Sequence, residues 1–302
     1  MVSSNIWPKL IKLRLTENIR AKTDPEFARF LLSLGNGELQ SKEFEFIALP
    51  TGIVKAPSGD GQDPIGHLAS ITFPELMQSK FDPNIFTTRA LLTPLNDDVD
   101  TINNILIDKF PGTPVCYKSH DSMLDDICTV YPAEFINKLN PGGMSRHELI
   151  LKENCPVILM RNLQPSFGLC NGTRLICKRF LPNSIECAIM SSNHKGEHVF
   201  IPRIKIRPSP SANYPFQFQR SQFPLKPNFA MTINKCQGQR LSQVTVYLPK
   251  PCFAHRQLYV ALSRARKASQ VTVIVAPGPE GVPANFVKNL ISYEVLALVG
   301  II

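Results

Sequence analysis

FAMTINKCQGQ, residues 229–239, sets an apolar lead before a dense run of small polar groups. Phe229 and Met231 read as the buried side of a short strand ending near Thr232 and Ile233. Thr232, Asn234, Lys235 and Gln237 would then leave the strand at its carboxyl end, the edge where open α/β sheets take ligands. These are short donors with one cation, better suited to sugar-phosphate contact than to reading bases. Gly238 lacks a Cβ and allows close backbone approach. Downstream, QVTVYL (243–248) reads as a strand, HRQLYVALSRAR (255–266) as a helix and QVTVIV (270–275) as another strand. Strand, helix and strand over roughly thirty residues make a βαβ unit with parallel strands and a right-handed crossover. In the helix Leu258, Val260, Ala261, Leu262 and Ala265 face inward. Arg264 is left at the C-terminal end, where a cation is favoured.

Upstream, DPEFARFLLSLGNGE (24–38) reads as a helix capped by Asp24, with Pro25 in its first turn and Phe27, Phe30, Leu31 and Leu34 on one face. Gly35 and Gly37 are read as its stop. The preceding stretch, 5–20, resembles the end of a helix or strand. Residues 51–67, rich in Gly, Pro and Asp, read as a surface loop. RALLTP (89–94) reads as a buried strand, followed by a helix over 96–110 with Val99, Ile102, Leu106 and Phe110 on one stripe. The aspartates at 97, 98 and 100 suit the positive end of that helix's dipole more readily than a metal. From 155 to 207 four short β-like runs follow one another: CPVILMRNL, GTRLICKRF, SIECAIM and HVFIPRIKI. Their spacing implies a small antiparallel barrel or sheet inserted in the larger fold, with 207–215 as a linker back.

The 302 residues are 43% hydrophobic, enough for a buried core, and the length suggests about two domains. Charge is strongly divided. Residues 1–150 carry 14 Lys/Arg against 19 Asp/Glu, whereas 151–302 carry 19 against 5. A positive field of that size suits a polyanion, since each neutralised phosphate releases a counterion; a basic surface without a specific partner is the other reading. The eight cysteines form no C-x-x-C pair and read as free buried thiols. No secretory h-region opens the chain, and the apolar tail VLALVGII is too short to span a bilayer. The expectation is a soluble, intracellular protein with no membrane contact.

Two local matches carry no chemistry. HKGEH (194–198) has the H-x-x-E-H spacing of a zinc protease but contains Gly196 and runs into a β-like segment, so it reads as a hairpin tip. Ser263 lacks a Gly-x-Ser-x-Gly elbow, and neighbouring His255 does not make it a triad. YPFQFQRSQFPLK (214–226) is open to two readings: bases stacking on Phe216, Phe218, Arg220 and Phe223, or an edge strand with its apolar face on the core.

TINKCQG followed by LYVALSRA resembles the fifth and sixth helicase motifs of the Petite Integration Frequency (PIF) family of DNA helicases, superfamily-one motors moving 5′ to 3′. Supporting pieces run along most of the chain: LTENIRA, LLTPLNDDVDTIN, FINKLNPGG, CPVILMRNLQPSFGLCNGTRLI, FIPRI and QFPLKPNFAMTINKCQGQ. The plant and Helitron-transposon relatives give the nearest likeness. The resemblance implies an α/β, RecA-like second helicase domain with a parallel sheet, interrupted by a small Src-homology-3-like β-barrel. It implies 1–23 as the tail end of a first RecA-like domain, 24–130 and 216–302 as the two segments of the second, and 131–215 as the insertion. Arg264 is implied as an arginine finger and Arg20 as a γ-phosphate contact. Thr232, Asn234, Lys235, Gln237, Gly238 and Gln257 are implied in coupling nucleotide to DNA, with Thr93, Pro94, Asn171 and Arg220 as candidate DNA contacts.

The partners implied are ATP with Mg²⁺ and single-stranded or junction DNA. The roles implied are replication, repair, recombination, telomere maintenance or transposon movement, with the nucleus as compartment. Three positions depart from the family pattern: Asn234 stands where His is common, Cys236 where Ser is usual, and Arg256 where Gly commonly precedes the Gln. The last puts the geometry of Gln257 in question. No G-x-x-x-x-G-K-[ST] sequence occurs in the 302 residues, and no acidic pair follows a strand where magnesium would need it. The chain is therefore read as starting where a first RecA-like domain ends. It is expected to be inactive by itself and to need that N-terminal domain as partner. A non-catalytic DNA-binding or partner-binding module is the alternative.

Overall fold

The computed structural model describes residues 21–39, 46–57, 63–77, 81–124, 131–190, 193–239, 241–276, 283 and 285–298. The expectations for 1–20, including Arg20, lie outside the described residues, as does Cys128. The chain divides into two compact units. One comprises Met1–Phe73, Thr88–Asp100 and Ala230–Ile302; the other comprises Pro74–Thr87 and Thr101–Phe229.

The first unit is built on a five-stranded, all-parallel sheet. Its order is Ala230–Thr232, Arg89–Thr93, Gln243–Leu248, Val271–Val275 and Val54–Lys55. Its strands read as apolar runs because a parallel sheet is covered on both faces. Leu92, Met231, Val244, Val246 and Val273 form the middle of the core. The expected strand–helix–strand unit is present, but its helix, Gln257–Leu262, is only six residues long. Arg264 therefore lies beyond the helix end and not within the last turn.

The helix Pro25–Asn36 starts as the sequence implies, with Asp24 Oδ1 accepting from the Phe27 N–H at 3.1 Å. The other carboxylate oxygen accepts from the Ala268 N–H at 2.9 Å, which ties the helix start to the segment before Val271–Val275. These two N–H donors, Ala268 foremost, hold the Asp24 carboxyl below its ordinary value. Gly37, at φ +75°, ends the helix. Gly35 does not: it is buried inside the helix, and a Cβ there would sit 3.1 Å from the Tyr259 ring. Its role is close approach to the Gln257–Leu262 helix.

The second unit contains the four β-like runs anticipated for 155–207. Four strands from these runs and a fifth, Leu225–Pro227, form an antiparallel sheet in the order His198–Pro202, Ser184–Ile189, Arg174–Phe180, Pro156–Leu159 and Leu225–Pro227. Among the described residues no ladder joins its two outer strands. A second sheet has Phe218–Gln222 as its middle strand, between Ile204–Ile206 and His120–Met123. The aromatic-basic run is thus neither an edge strand nor a stacking surface: Phe216, Phe218 and Phe223 are buried.

Arg220 is 0% exposed, which removes it from the candidate DNA contacts. Its Nε donates to both Asp121 carboxylate oxygens at 3.0 Å and its Nη2 to Oδ2 at 2.7 Å. The remaining donors reach the carbonyls of Ile136, Leu139 and Ser145 at 3.0–3.1 Å. A guanidinium with its donors satisfied this way has none left for a phosphate. Asp121→Ala would leave that cation buried and unpaired, a loss of about 3–5 kcal/mol in urea unfolding. Glu148→Ala, which removes the exposed ion pair with Lys118, should stay within about 1 kcal/mol.

Candidate functional site

The strand Ala230–Thr232 runs into a single 3₁₀ turn, Ile233–Cys236, at the carboxyl edge of the parallel sheet. Three residues per turn put Ile233 and Cys236 on one side. Both are fully buried, and the Cys236 thiol donates to the Ile233 carbonyl at 2.9 Å. Asn234, Lys235, Gln237 and Gly238 are exposed, while Thr232 is buried at the strand end. Gly238 has φ +80° and open space where a Cβ would stand, so the backbone angle, not crowding within the chain, calls for glycine.

Thr93 is the register neighbour of Thr232, so two threonines end side by side on adjacent strands. Thr93 is fully buried and its Oγ1 has no hydrogen-bond partner. Pro94 is buried too. These two side chains underlie the edge and present no surface for direct DNA contact, a correction to the sequence reading. Asn171 is exposed, in the turn before Arg174–Phe180 of the other unit, with its N–H donating to Asn162 Oδ1 at 2.7 Å. Gln239 was not singled out from sequence. Its Nε2 donates to the Lys235 carbonyl at 3.4 Å, while its Oε1 is buried without a donor. Its only sequence signal is a second amide two residues after Gln237.

The helix Gln257–Leu262 packs on the Ile233–Cys236 turn. Gln257 is buried, and its Oε1 accepts from the Phe253 N–H at 3.0 Å while its Nε2 finds no acceptor. Arg256 resolves the question raised by its replacement of glycine. It adopts φ +57° itself, its N–H donates to the Leu290 carbonyl at 3.0 Å, and its Nε donates to the Gly35 carbonyl at 2.7 Å. The position demands a left-handed backbone, which glycine adopts without strain, and here a side-chain bond holds an arginine in it. Next to it, His255 Nδ1 accepts from the Ser292 N–H at 2.8 Å. Burial, then the Arg256 charge, lowers the His255 pKa.

Arg264 is partly buried and turned back on its own chain, with Nε donating to the Val260 carbonyl and Nη2 to Ser263 Oγ, both at 3.0 Å. Its charge nonetheless reaches the Ile233–Cys236 turn. Burial pushes the Cys236 thiol up to about 12, and the Arg264 field opposes that shift. The structure therefore brings Arg264 and the 229–239 segment together in one unit. Hydroxyl, amide and cationic groups on this edge fit an oxyanion. Among the described residues no group of three His, Cys, Asp or Glu is arranged to hold a metal. HKGEH forms the anticipated hairpin tip, its histidines engaging separate acids, Glu197 and Glu186. Among the described residues no helix is long and apolar enough to cross a membrane.

Comparison with known proteins supports the likeness. The family description "DNA helicase Pif1, 2B domain" matches residues 134–180. The chain is similar to the ATP-dependent DNA helicase PIF1 of Xenopus laevis, at 28% identity over 178 residues. It is similar to that of Homo sapiens at 30% over 185 residues. Each match covers 59% of this chain and 26% of the relative, so the chain spans about a quarter of the length of these curated relatives. In fold it resembles Bacteroides Pif1 bound to ssDNA, with TM-score 0.60 and 18% identity over 94% of this chain and 55% of that one. It also resembles Pif1 helicase from Candida albicans, with TM-score 0.58 and 19% identity over 98% and 63%. The α/β fold is thus that of Pif1 helicase domains.

The left-handed backbone at Arg256 is open to direct test. Arg256→Ala and Arg256→Gly both lose the bond to Gly35, but only the glycine relieves the strain. Urea unfolding should find the glycine variant more stable than the alanine variant by about 1 kcal/mol; equal stability would contradict the positive φ.

Proposed function

We propose that this chain is the C-terminal part of a PIF-like, ATP-dependent 5′–3′ DNA helicase and that its carboxyl-edge site couples nucleotide to single-stranded DNA. The observation that carries this reading is the packing of the Ile233–Cys236 turn on the Gln257–Leu262 helix, which sets the exposed groups at 234, 235 and 237 in the same unit as Arg264. Exposed Lys235, Asn234 and Gln237 would hold the sugar-phosphate backbone, with Thr232 at the strand end and Gly238 allowing close approach. Arg264, after rotating away from Val260 and Ser263, would stabilise the charge that develops on a transferred γ-phosphoryl group. Bound Mg-ATP supplies that phosphoryl group.

No phosphate-binding loop occurs in these 302 residues. We infer that the rest of the nucleotide cradle, magnesium ligands included, comes from residues other than these. Turn and helix share a buried contact, so a movement of Arg264 would be felt at Lys235. A plant or Helitron-transposon type is part of this proposal. The implied roles in replication, repair, recombination, telomere maintenance or transposition, and in the nucleus, belong to it too. The division of charge, 19 basic against 5 acidic residues beyond position 150, also favours a second reading, a DNA-binding module without catalysis.

Fluorescence anisotropy of the 302-residue chain with a single-stranded oligonucleotide tests the DNA part. Affinity should fall log-linearly with salt, and Lys235→Ala should flatten the slope by about 0.7, one phosphate contact on a single strand. Salt-independent binding, or an unchanged slope, would overturn it. The same chain should show no magnesium-dependent ATP turnover; DNA-stimulated turnover abolished by Arg264→Ala would contradict the inferred outside cradle.

A further inference from the structure

Three thiols stand in a row in the antiparallel sheet of the second unit. Cys155, Cys177 and Cys187 lie at neighbouring strands, and each is 0% exposed. Cys177 is paired directly with Cys187. The Met190 N–H donates to the Arg174 carbonyl at 3.0 Å in the same ladder, and bonded pairs recur every second residue. Counting from Arg174, the Cys177–Cys187 pair is a non-hydrogen-bonded one. Consistent with that, the Cys177 N–H turns to the other neighbour and donates to the Cys155 carbonyl at 3.0 Å, while the Asn154 N–H donates to the Cys177 carbonyl at 2.8 Å. Asn154 has φ +64°, so Cys155 faces Cys177 across a bulge. Opposed residues share a sheet face, so the register places the Cys177 side chain between those of Cys155 and Cys187.

Opposed Cα atoms lie about 4.5 Å apart in a non-hydrogen-bonded antiparallel pair and about 5.5 Å apart in a bonded one. Disulfides bridge Cα separations of roughly 4.4–6.8 Å. Neither crosslink requires the strands to separate. The trio is not arranged as a metal site, and the DNA-coupling edge makes no use of it.

We propose that Cys177 and Cys187 form a reversible disulfide, with Cys155 as the third thiol into which the bond can exchange. With a small disulfide such as glutathione disulfide as oxidant, the Cys177 thiolate attacks one sulfur and expels a glutathione thiolate. The Cys187 thiolate then attacks the Cys177 sulfur of the mixed disulfide and expels the second glutathione. Two protein thiols lose two protons and two electrons, and one glutathione disulfide becomes two glutathione molecules. Burial, reinforced by the neighbouring Cys155 and Cys187 thiols, pushes the Cys177 thiol well up. Thiolate formation therefore waits on local opening of the sheet, which makes oxidation slow without altering its end point.

The test equilibrates the full chain, without denaturant, in glutathione buffers of graded potential, then quenches with acid, alkylates free thiols and digests with trypsin. The three cysteines fall in separate tryptic peptides, 153–161, 175–178 and 180–195. Peptides 175–178 and 180–195 should be recovered joined and should separate on reduction. In a Cys187→Ser variant shown to be folded by circular dichroism, 175–178 should join 153–161 instead. Recovery of Cys177 and Cys187 as free thiols in buffers that fully glutathionylate exposed Cys116 would overturn the proposal. So would a crosslink that forms only in denaturant.

Discussion

The contact between the Ile233–Cys236 turn and the Gln257–Leu262 helix is the constraint on which the candidate site rests. Ile233, Cys236, Leu258, Ala261, Leu262 and Ala265 are all fully buried in one cluster. Close packing of that kind transmits displacement, because interiors have little free volume to absorb it. The parallel sheet fixes where the turn begins, through the pairing of Ala230–Thr232 with Arg89–Thr93. The helix is located from its other side by Gly35, by Arg256 and by His255, whose bonds reach the Pro25–Asn36 helix and the 290–292 segment. Polar groups at 234, 235 and 237 can thus be exposed while their backbone is held.

Much of this was legible in the sequence because it depends on local rules. VTV runs mark buried parallel strands, Asp24–Pro25 marks a helix start, and an apolar lead before T-I-N-K marks a strand end. The helix over 96–109 and its buried stripe follow from periodicity alone. The resemblance supplied what local rules could not, namely that 229–239 and 257–264 belong together.

What was not legible depended on distant partners. Alternating aromatic and basic residues at 214–226 look alike whether the arginine meets a base or a buried acid. The acid is Asp121, 99 residues away, and nothing near Arg220 announces it. Gly35 looked like a stop because the ring it accommodates, Tyr259, lies far along the chain. Thr93 and Pro94 looked available because strand ends usually are, but both are buried. The row of three thiols was equally hidden, since its spacing makes sense only once three strands are in register.

Photocrosslinking tests the central claim most directly. A single-stranded oligonucleotide carrying 5-iododeoxyuridine would be irradiated with the chain and the adducts located by mass spectrometry. If the carboxyl edge holds DNA, adducts fall within 232–239 and disappear when unlabelled single strand competes. Adducts confined to other segments, with 232–239 recovered unmodified, would contradict the account.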